Sequence, residues 1–434
     1  MTKSHSFQGK KNFEEEKLNF FIDNIEGNNS YKNLGKLKGL KEKTKLIERF
    51  QLYRKKWNSI QGEVEKKDEL EKILPSFPLC VDIEVAAICD LACPFCYRQS
   101  IITPDKLISD SLYINLIKQC EALGVPSLKL NWRGEPLLHP KIDKYIKLAK
   151  ESGILEVIIN TNATKLNEEL SKKIILSGLD TIIFSFDGGS KKTYNEMRPG
   201  RFEENSFDTI YQNIKKFDEI KKSMNAKFPR SKIQMILTKK TGEETKDFFE
   251  LFEHIVDDVS IKTYTERGGY VEEIDNVSKS KISQSKNKLL NPKTIYSKDY
   301  KDNVYYSNNR KPCAQPFQRL MVTYDGKVSM CCYDWGSMHP IGYVDEQGFL
   351  NNDKDLDKVE DNIKKNKKGF EKIFDKATRA PKYNDPLKKV STLKDLWNGN
   401  EINNVRKLHL DDKIDEVTIC KKCPFKDTYN WQPL

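Results

Sequence analysis

The chain has 434 residues, of which 37% are hydrophobic and 10% aromatic, enough to build cores in more than one domain. Its net charge of +11 would suit a nucleic-acid partner, but the lysines alternate with acidic residues as on solvated helices, so we expect none. No apolar run is long enough to span a membrane and no signal-peptide core follows Met1, so we expect a cytoplasmic protein without a membrane partner.

The first 75 residues carry helical periodicity and no motif with an assignable chemistry. Within them, Leu37–Trp57 places leucine, isoleucine and aromatic side chains at the spacing of one helix face. We expect this segment to be a helical extension that packs on the main domain.

A cluster of three cysteines follows the first strand-like segment, Cys80–Ile88. The run ICDLACPFCY sets Cys89, Cys93 and Cys96 at CxxxCxxC spacing. In a chain with ten cysteines, such close spacing indicates metal or cluster ligands rather than disulfides. Three thiolates can hold three irons of a cubane cluster and leave the fourth iron open for chemistry. A zinc site completed by a remote ligand such as Cys80 is the alternative.

This spacing, with Phe95 before the last cysteine and Tyr97 after it, resembles the radical S-adenosylmethionine (radical SAM) superfamily. The resemblance implies a catalytic [4Fe-4S] cluster on the three cysteines and places Tyr97 among the cofactor-binding residues. In that family S-adenosylmethionine (SAM) chelates the open iron and is cleaved to a 5'-deoxyadenosyl radical, which abstracts hydrogen from a substrate. The resemblance also implies a reductant such as flavodoxin or ferredoxin.

From about residue 79, short β-rich runs alternate with amphipathic helices. Strands are predicted at Cys80–Ile88, Ser127–Trp132, Glu156–Thr161, Thr181–Phe186, Lys232–Leu237 and Val259–Tyr264. The intervals carry helical patterns at Ser111–Leu123, Lys141–Ser152, Asn167–Leu176, Phe207–Ile220 and Glu243–Ile255. This α/β alternation predicts right-handed βαβ units with a parallel sheet, whose catalytic groups gather at the carboxyl ends of the strands. The resemblance implies the partial (β/α)6 TIM-type barrel of the family.

Polar motifs at three further strand ends are similar to the SAM-binding segments of the family. WRGEPL resembles the GGEP motif with Arg133 in place of the first glycine, and implies that Glu135 binds the SAM amino group. NTNAT after the third strand resembles the TNG segment, with helix capping as the alternative. SFDG with a later arginine resembles the SxDG…R segment, which implies that Ser185 and Arg198 hold the SAM carboxylate and ribose.

The C-terminal third carries a second cysteine system after a polar stretch, residues 271–310, that is predicted to be a linker. A Cx12Gx4C element runs from Cys313 to Cys331 and a CxxC pair follows much later. The pattern resembles a SPASM or shortened "twitch" domain. It implies an auxiliary [4Fe-4S] cluster on Cys313, Cys331, Cys420 and Cys423, with Cys332 as the alternative to Cys331. A zinc ribbon with four thiolate ligands is the alternative site.

The segments therefore predict a radical SAM enzyme with an N-terminal helical extension (1–75), a radical SAM core (76–270), a linker (271–310) and a SPASM/twitch domain (311–434). No cysteine follows Cys423, so we expect one fully ligated auxiliary cluster. A single cluster favours a sugar or other small molecule as substrate. The alternatives are a peptide-modifying maturase and, from another class, a non-catalytic zinc-binding interaction protein.

Overall fold

The computed structural model describes residues 7–8, 40–96, 98, 104–263, 295–298, 301, 303–334, 337, 339–350, 389–421, 423, 425 and 428–433. Among these residues, no helix combines the length and the apolar character needed to cross a bilayer. The segment 351–390, a charged insertion in the sequence, lies outside them except for residues 389 and 390, as does most of the predicted linker.

The N-terminal segment supplies an edge strand and two helices: β1 (Phe7–Gln8), α1 (Leu40–Lys66) and α2 (Leu70–Ile73). Helix α1 buries Phe50, Tyr53 and Ile60 against the main domain in a cluster that includes Phe317. The predicted helical extension is therefore present over residues 40–73. The helical periodicity of this segment did not predict β1. This strand pairs antiparallel with a strand more than two hundred residues away, with Phe7 opposite Ile261.

The core alternates strands and helices along the chain. The elements are β2 (Cys80–Ile83), α3 (Asp110–Leu123), β3 (Ser127–Lys129), α4 (Ile142–Glu151), β4 (Glu156–Thr161), α5 (Glu168–Leu176), β5 (Thr181–Ser185), α6 (Lys191–Met197), α7 (Phe207–Ser223), β6 (Arg230–Leu237), α8 (Thr245–Phe252) and β7 (Asp258–Thr263). Strands β2 to β7 are parallel and adjacent in chain order. This confirms the predicted α/β class.

Local sequence explains where these helices begin and which face they bury. Ser109 and Asn167 accept backbone hydrogen bonds as the N-caps of α3 and α5, and Gly124 ends α3 in the left-handed region at φ +76°. The helices pack their apolar faces on strand side chains such as Leu128 and Ile159, which are fully buried in the main core. The other strand face is more polar and more exposed.

The C-terminal part contains two groups of strands and several short helices. The elements are β8 (Ile295–Lys298), β9 (Val304–Ser307), α9 (Gln315–Gln318), β10 (Arg319–Val322), β11 (Lys327–Ser329), β12 (Gly342–Tyr343), α10 (Gln347–Leu350), α11 (Leu393–Trp397), α12 (Asn400–Leu410), α13 (Thr418–Lys421) and β13 (Gln432–Pro433). Strands β10 and β11 pair antiparallel and form a hairpin, the C-terminal hairpin. Strand β10 lies parallel beside β2, so the order of the described sheet is β1-β7-β6-β5-β4-β3-β2-β10-β11-β12.

A second sheet ties the chain before Cys313 to its end. Strand β9 pairs with both β8 and β13, and Arg310 forms a further bridge with Tyr429. The predicted linker at 271–310 thus contains two strands of this sheet. Because of this pairing, Cys313 lies next to the segment that carries Cys420 and Cys423.

Candidate functional site

The cysteine triplet lies at the carboxyl end of β2, as the sequence predicts. Cys89, Cys93 and Cys96 share an apolar cluster with Leu91, Phe95, Met197 and Ile236. The backbone N–H of Cys96 donates to the carbonyl of Cys93 at 3.0 Å. The N–H of Ala92 donates to the carbonyl of Pro199 at 2.9 Å and ties the loop to the segment after α6.

The three thiols influence one another electrostatically. All are free of disulfides. Burial raises the pKa of Cys89 to about 12, with Glu135 and Cys96 adding to the rise. Burial also raises the pKa of Cys93, which the guanidinium of Arg198 opposes. Each cluster ligand must be a thiolate, so a cluster bound here would displace these protons.

The donor set fits a cubane cluster. Within the described ranges, no three His, Cys, Asp or Glu side chains converge as the ligands of a single metal ion. A cubane takes one thiolate on each ligated iron, so its cysteines surround a body and need not converge on a point. Three neighbouring thiols in an apolar pocket supply ligands for three of four irons.

Glu135 is a buried carboxylate at the start of a single helical turn, Pro136–Leu138. It is 3% exposed and accepts hydrogen bonds from the Leu137 N–H (2.9 Å), the Thr161 hydroxyl (2.7 Å) and the Asn162 N–H (2.7 Å). Burial raises its pKa to about 7, and these donors oppose the rise. Among the described residues it forms no ion pair with a basic side chain. A cationic or N–H donating group of a ligand would complete its surroundings.

The NTNAT segment joins this carboxylate to the cysteine loop. The Asn162 side-chain amide donates to Asp90 Oδ1 at 2.8 Å, and the Thr164 hydroxyl donates to Asp90 Oδ2 at 2.6 Å. Asn167, further along the chain, caps the following helix. Ala163, which replaces the glycine of the resembled motif, lies in the left-handed region at φ +63°. The helix-capping alternative for this segment therefore does not describe its contacts, and Asp90 is a site residue that sequence reasoning missed.

Ser185 and Arg198 lie on the other side of the cysteine loop. Ser185 ends β5 opposite Gln234. Arg198 is buried, and its Nε and Nη2 lie 2.8 and 2.6 Å from Asp187 Oδ2. Its guanidinium carbon is 5.6 Å from the centre of the Phe95 ring. The structure thus brings Arg198 beside the cysteine loop, with Asp187 as an orienting partner that the sequence did not identify.

Two further predicted positions have different outcomes. Tyr97 lies outside the described residues. Arg133, which replaces the first glycine of the resembled GGEP motif, makes a buried two-bond ion pair with Glu84, both bonds 2.6 Å. This ion pair lies at the junction between β2 and the C-terminal hairpin, because Glu84 also accepts a hydrogen bond from the Tyr324 N–H at 3.3 Å.

The four cysteines of the second set come from separate parts of the fold. Cys313 follows β9, Cys331 follows β11, and Cys420 and Cys423 lie at the end of α13, where the N–H of Cys423 donates to the carbonyl of Cys420 at 3.1 Å. Burial raises the pKa of Cys313 to about 12, and Cys423 adds to the rise. Burial raises the pKa of Cys331 too, with contributions from Cys332, Cys420 and Cys423. The structure brings the four predicted ligands together.

The thiols Cys331 and Cys332 have different surroundings. Cys331 is buried at the edge of the main core. Cys332 packs on Trp132 and Met321, against which Cys96 of the first set also packs. The indole N–H of Trp132 donates to the Cys332 carbonyl at 3.0 Å. Trp132 and Met321 thus lie between Cys96 of the first set and Cys332, the neighbour of Cys331. Cys331 stays the predicted ligand.

Comparisons with known proteins match these two regions. The radical SAM superfamily model matches residues 83–252, and the SPASM iron-sulfur cluster-binding domain matches residues 313–374. A probable GTP 3',8-cyclase of Methanothermobacter marburgensis is 32% identical over 112 residues, which cover 26% of this chain and 36% of that protein. A probable GTP 3',8-cyclase of Sulfurisphaera tokodaii is 26% identical over 268 residues, covering 58% of this chain and 80% of that protein.

Among solved structures, BtrN in complex with AdoMet and 2-DOIA gives a TM-score of 0.42 at 14% identity, covering 82% of this chain and 98% of that one.

The fold and the family matches define an α/β iron-sulfur enzyme. The chain belongs to the radical SAM superfamily and carries a C-terminal SPASM domain. Its cofactors are a catalytic [4Fe-4S] cluster, an auxiliary iron-sulfur cluster and SAM. The family favours an enzyme over the zinc-binding interaction protein considered as an alternative.

Proposed function

We propose that Cys89, Cys93 and Cys96 hold the catalytic cluster and that SAM binds at its open iron. When bound, the cluster and SAM supply a one-electron reductive cleavage to methionine and a 5'-deoxyadenosyl radical, which abstracts hydrogen from the substrate. The observation that carries the proposal is the position of these thiols, which share one apolar pocket at the carboxyl end of β2. The buried Glu135 lies beside this pocket, because its N–H donates to the carbonyl of Ile88, the residue before Cys89.

The chain's own side chains would bind and orient SAM around this pocket. We propose that Glu135 accepts a hydrogen bond from the SAM amino group, because its carboxylate is buried without a basic partner in the described structure. Asp187 holds Arg198 beside Cys93, where the guanidinium can bind the SAM carboxylate or ribose. Ser185 supplies a hydroxyl at the end of β5. The apolar shell of Leu91, Phe95 and Met197 excludes water.

We propose that Cys313, Cys331, Cys420 and Cys423 hold the auxiliary cluster. Four thiolates ligate all irons of a four-iron cluster, so a substrate would bind near this cluster and not on one of its irons. Such a cluster can accept or return one electron during turnover, and the packing of Cys96 and Cys332 on Trp132 supports contact between the two sites.

The substrate we propose is a polar small molecule such as a sugar or nucleotide derivative. Relatives named as probable GTP 3',8-cyclases support the small-molecule class, one of them matched over 80% of its length. Polar side chains on the exposed face of the strands support it too: Asn131, Asn160 and Gln234 are only partly buried. A peptide substrate is the outcome that would replace this proposal.

The test starts from anaerobically purified protein, which should contain about eight irons, two four-iron clusters on the cysteine count. With dithionite it should release 5'-deoxyadenosine from SAM. GTP, sugar nucleotides and short peptides are then compared by deuterium transfer from labelled substrate into 5'-deoxyadenosine. Transfer from a small molecule supports the proposal and transfer from a peptide alone contradicts it. Zinc in place of iron, together with no SAM cleavage, would contradict the proposed radical SAM activity.

Two cysteine variants separate the roles of the two sites. Cys93→Ala is expected to abolish SAM cleavage, because it removes a ligand of the catalytic cluster. Cys423→Ala is expected to spare uncoupled cleavage and to impair turnover of the true substrate. The matched control is Cys120→Ala, because Cys120 is buried on α3 and only burial, with no contribution from a cysteine of either set, raises its pKa. Equal loss of SAM cleavage in all three variants would contradict the assignment.

A further inference from the structure

Arg310 lies among the four cysteines of the C-terminal site. It stands three residues before Cys313 and forms an isolated antiparallel β-bridge with Tyr429. Its Nη1 donates to the backbone carbonyl of Cys420, and its guanidinium carbon is 5.3 Å from the centre of the Tyr429 ring. Tyr429 in turn donates its hydroxyl to the Cys423 carbonyl at 2.9 Å. The guanidinium is therefore fixed next to the CxxC pair by backbone and ring contacts.

The positive charge of Arg310 has no carboxylate partner in the described part of the chain. Its Nε is buried and has no hydrogen-bond acceptor there. A guanidinium stays charged in proteins, and an unpaired buried N–H donor is costly. The nearby groups belong to the cysteine site: Nη1 already donates to the Cys420 carbonyl, and the charge of Arg310 opposes the rise that burial gives to the pKa of the Cys423 thiol.

The other polar groups of the site do not replace this charge. His409 accepts the Cys313 N–H on Nδ1 at 3.1 Å, so its Nε2 carries the hydrogen, and that N–H is also buried without a partner. A ring nitrogen that accepts a hydrogen bond carries no proton, so the His409 ring is neutral in this arrangement. Asp334, the nearby acid, accepts from the Ser329 hydroxyl at 2.8 Å and the His339 N–H at 3.1 Å. Two buried N–H donors that lack an acceptor in the described structure, Arg310 Nε and His409 Nε2, thus lie beside the cysteines.

We propose that Arg310 is a positioning residue of the auxiliary cluster, which donates a hydrogen bond to the cluster's sulfur atoms and raises its reduction potential. The inference rests on the proposed ligands Cys313, Cys331, Cys420 and Cys423. A four-iron cluster with four thiolates is an anion, and it gains one negative charge when it takes up one electron. A fixed cation and N–H donors to sulfur stabilise the reduced form more than the oxidised form. Arg310 takes up no proton in this step.

The test is a redox titration of the auxiliary cluster in the full-length chain. Alanine replacements of Cys89, Cys93 and Cys96 remove the catalytic cluster, so that the remaining iron and EPR signal report the auxiliary site alone. Dithionite supplies the electron. In this background Arg310→Gln is expected to lower the equilibrium constant for reduction about tenfold, which is about 59 mV more negative for a one-electron couple.

The matched control is Lys311→Gln. It removes the same charge one position away, where the side chain is partly exposed and pairs with Glu65 at 3.5 Å. Its potential is expected to equal that of the parent chain. Equal potentials for R310Q and K311Q would overturn the inference and leave the cluster assignment intact. A parent chain with no iron in this background would overturn the ligand assignment and the inference together.

A second measurement keeps the test decisive if Arg310→Gln loses its cluster. In parent protein labelled with 15N-arginine, pulsed EPR of the reduced cluster is expected to detect a weakly coupled 15N nucleus. Arg310→Lys keeps the charge and is expected to retain iron, yet to lose this coupling. Absence of the coupling from the labelled parent protein, or its persistence in R310K, would overturn the hydrogen bond to the cluster.

Discussion

Among the proposed SAM-binding residues, Glu135 has the surroundings that most clearly favour a bound ligand. Three donors fix its carboxylate between β3 and β4, and no basic side chain of the described structure neutralises it. Burial raises its pKa from 4.5 to about 7. The protonated form is therefore favoured below about pH 7 in the folded, ligand-free chain, and a ligand that supplies an N–H donor shifts the balance toward the ionised form.

This pKa gives the cluster-free chain a pH-dependent stability. Between pH 4.5 and about 7 the folded chain binds more protons at Glu135 than the unfolded chain, so stability is present below this window and is lost as pH rises through it. The loss is about 3 kcal/mol in magnitude. Chemical unfolding at pH 5 and pH 8 measures it, with Glu135→Gln expected to remove this part of the pH dependence. The same pH profile in both chains would contradict the assignment.

Gly134, the neighbour of Glu135, is the residue that lets the second strand end approach the first. A Cβ at this position would lie 2.3 Å from the carbonyl oxygens of both Ala86 and Ile88. The same approach allows the Glu135 N–H to donate to the Ile88 carbonyl at 2.9 Å. The glycine of the WRGEPL turn is thus required by backbone packing beside the cysteine loop.

Gly134→Ala is expected to destabilise the chain by about 1–3 kcal/mol, because backbone atoms must move apart. It should also weaken SAM binding, since Glu135 moves with the turn. Gly62→Ala is the control, because nothing lies within 4 Å of its Cβ and a helix interior gains about 0.5–1 kcal/mol from the change. Thermal unfolding and SAM titration compare the two. Similar stabilities would contradict the packing argument.

At the scale of elements, local patterns predicted the core well. The strand at Glu156–Thr161 has its predicted bounds, and helices α3 and α5 begin within one residue of theirs. These elements carry their own signals, namely apolar periodicity and capping residues. The spacing of Cys89, Cys93 and Cys96 is also a local pattern, so the cysteine triplet of the candidate site could be predicted from the sequence.

Features that depend on contacts between distant segments of the chain could not be predicted from the sequence. The position of β10 beside β2 joins residues more than two hundred apart, and neither strand alone encodes its neighbour. Asp90, Asp187 and Arg310 are ordinary charged residues in the sequence. Their contacts with Asn162, Arg198 and Cys420, respectively, form only in the folded chain. The two strands in the predicted linker were missed: β8 pairs with the neighbouring β9, and β9 also pairs with β13 at the far end of the chain.

For the whole molecule, the consequence is that the radical SAM core and the C-terminal hairpin share one sheet. The parallel pairing of β2 and β10 continues the core sheet into the part that carries Cys331. The ion pair of Glu84 and Arg133 lies at this junction, with side chains 0% and 5% exposed. Trp132 stacks on the Arg133 guanidinium at 4.6 Å and bonds to Cys332. Cys96 packs against the same cluster, so this junction lies between the first cysteine set and the hairpin that leads to Cys331.

We therefore expect Glu84→Ala to damage both iron sites together. It leaves the Arg133 guanidinium buried without its partner, which costs about 3–5 kcal/mol. Denaturant unfolding followed by tryptophan fluorescence and by cluster absorbance should give one shifted transition with both probes. Glu168→Ala removes a carboxylate from an exposed pair with Lys172 and should change stability by no more than about 0.5 kcal/mol. The double replacement Glu84→Leu with Arg133→Met should recover most of the loss, because neither charge remains buried. A variant that loses iron from the C-terminal site alone would show that the shared sheet does not couple the two parts of the molecule.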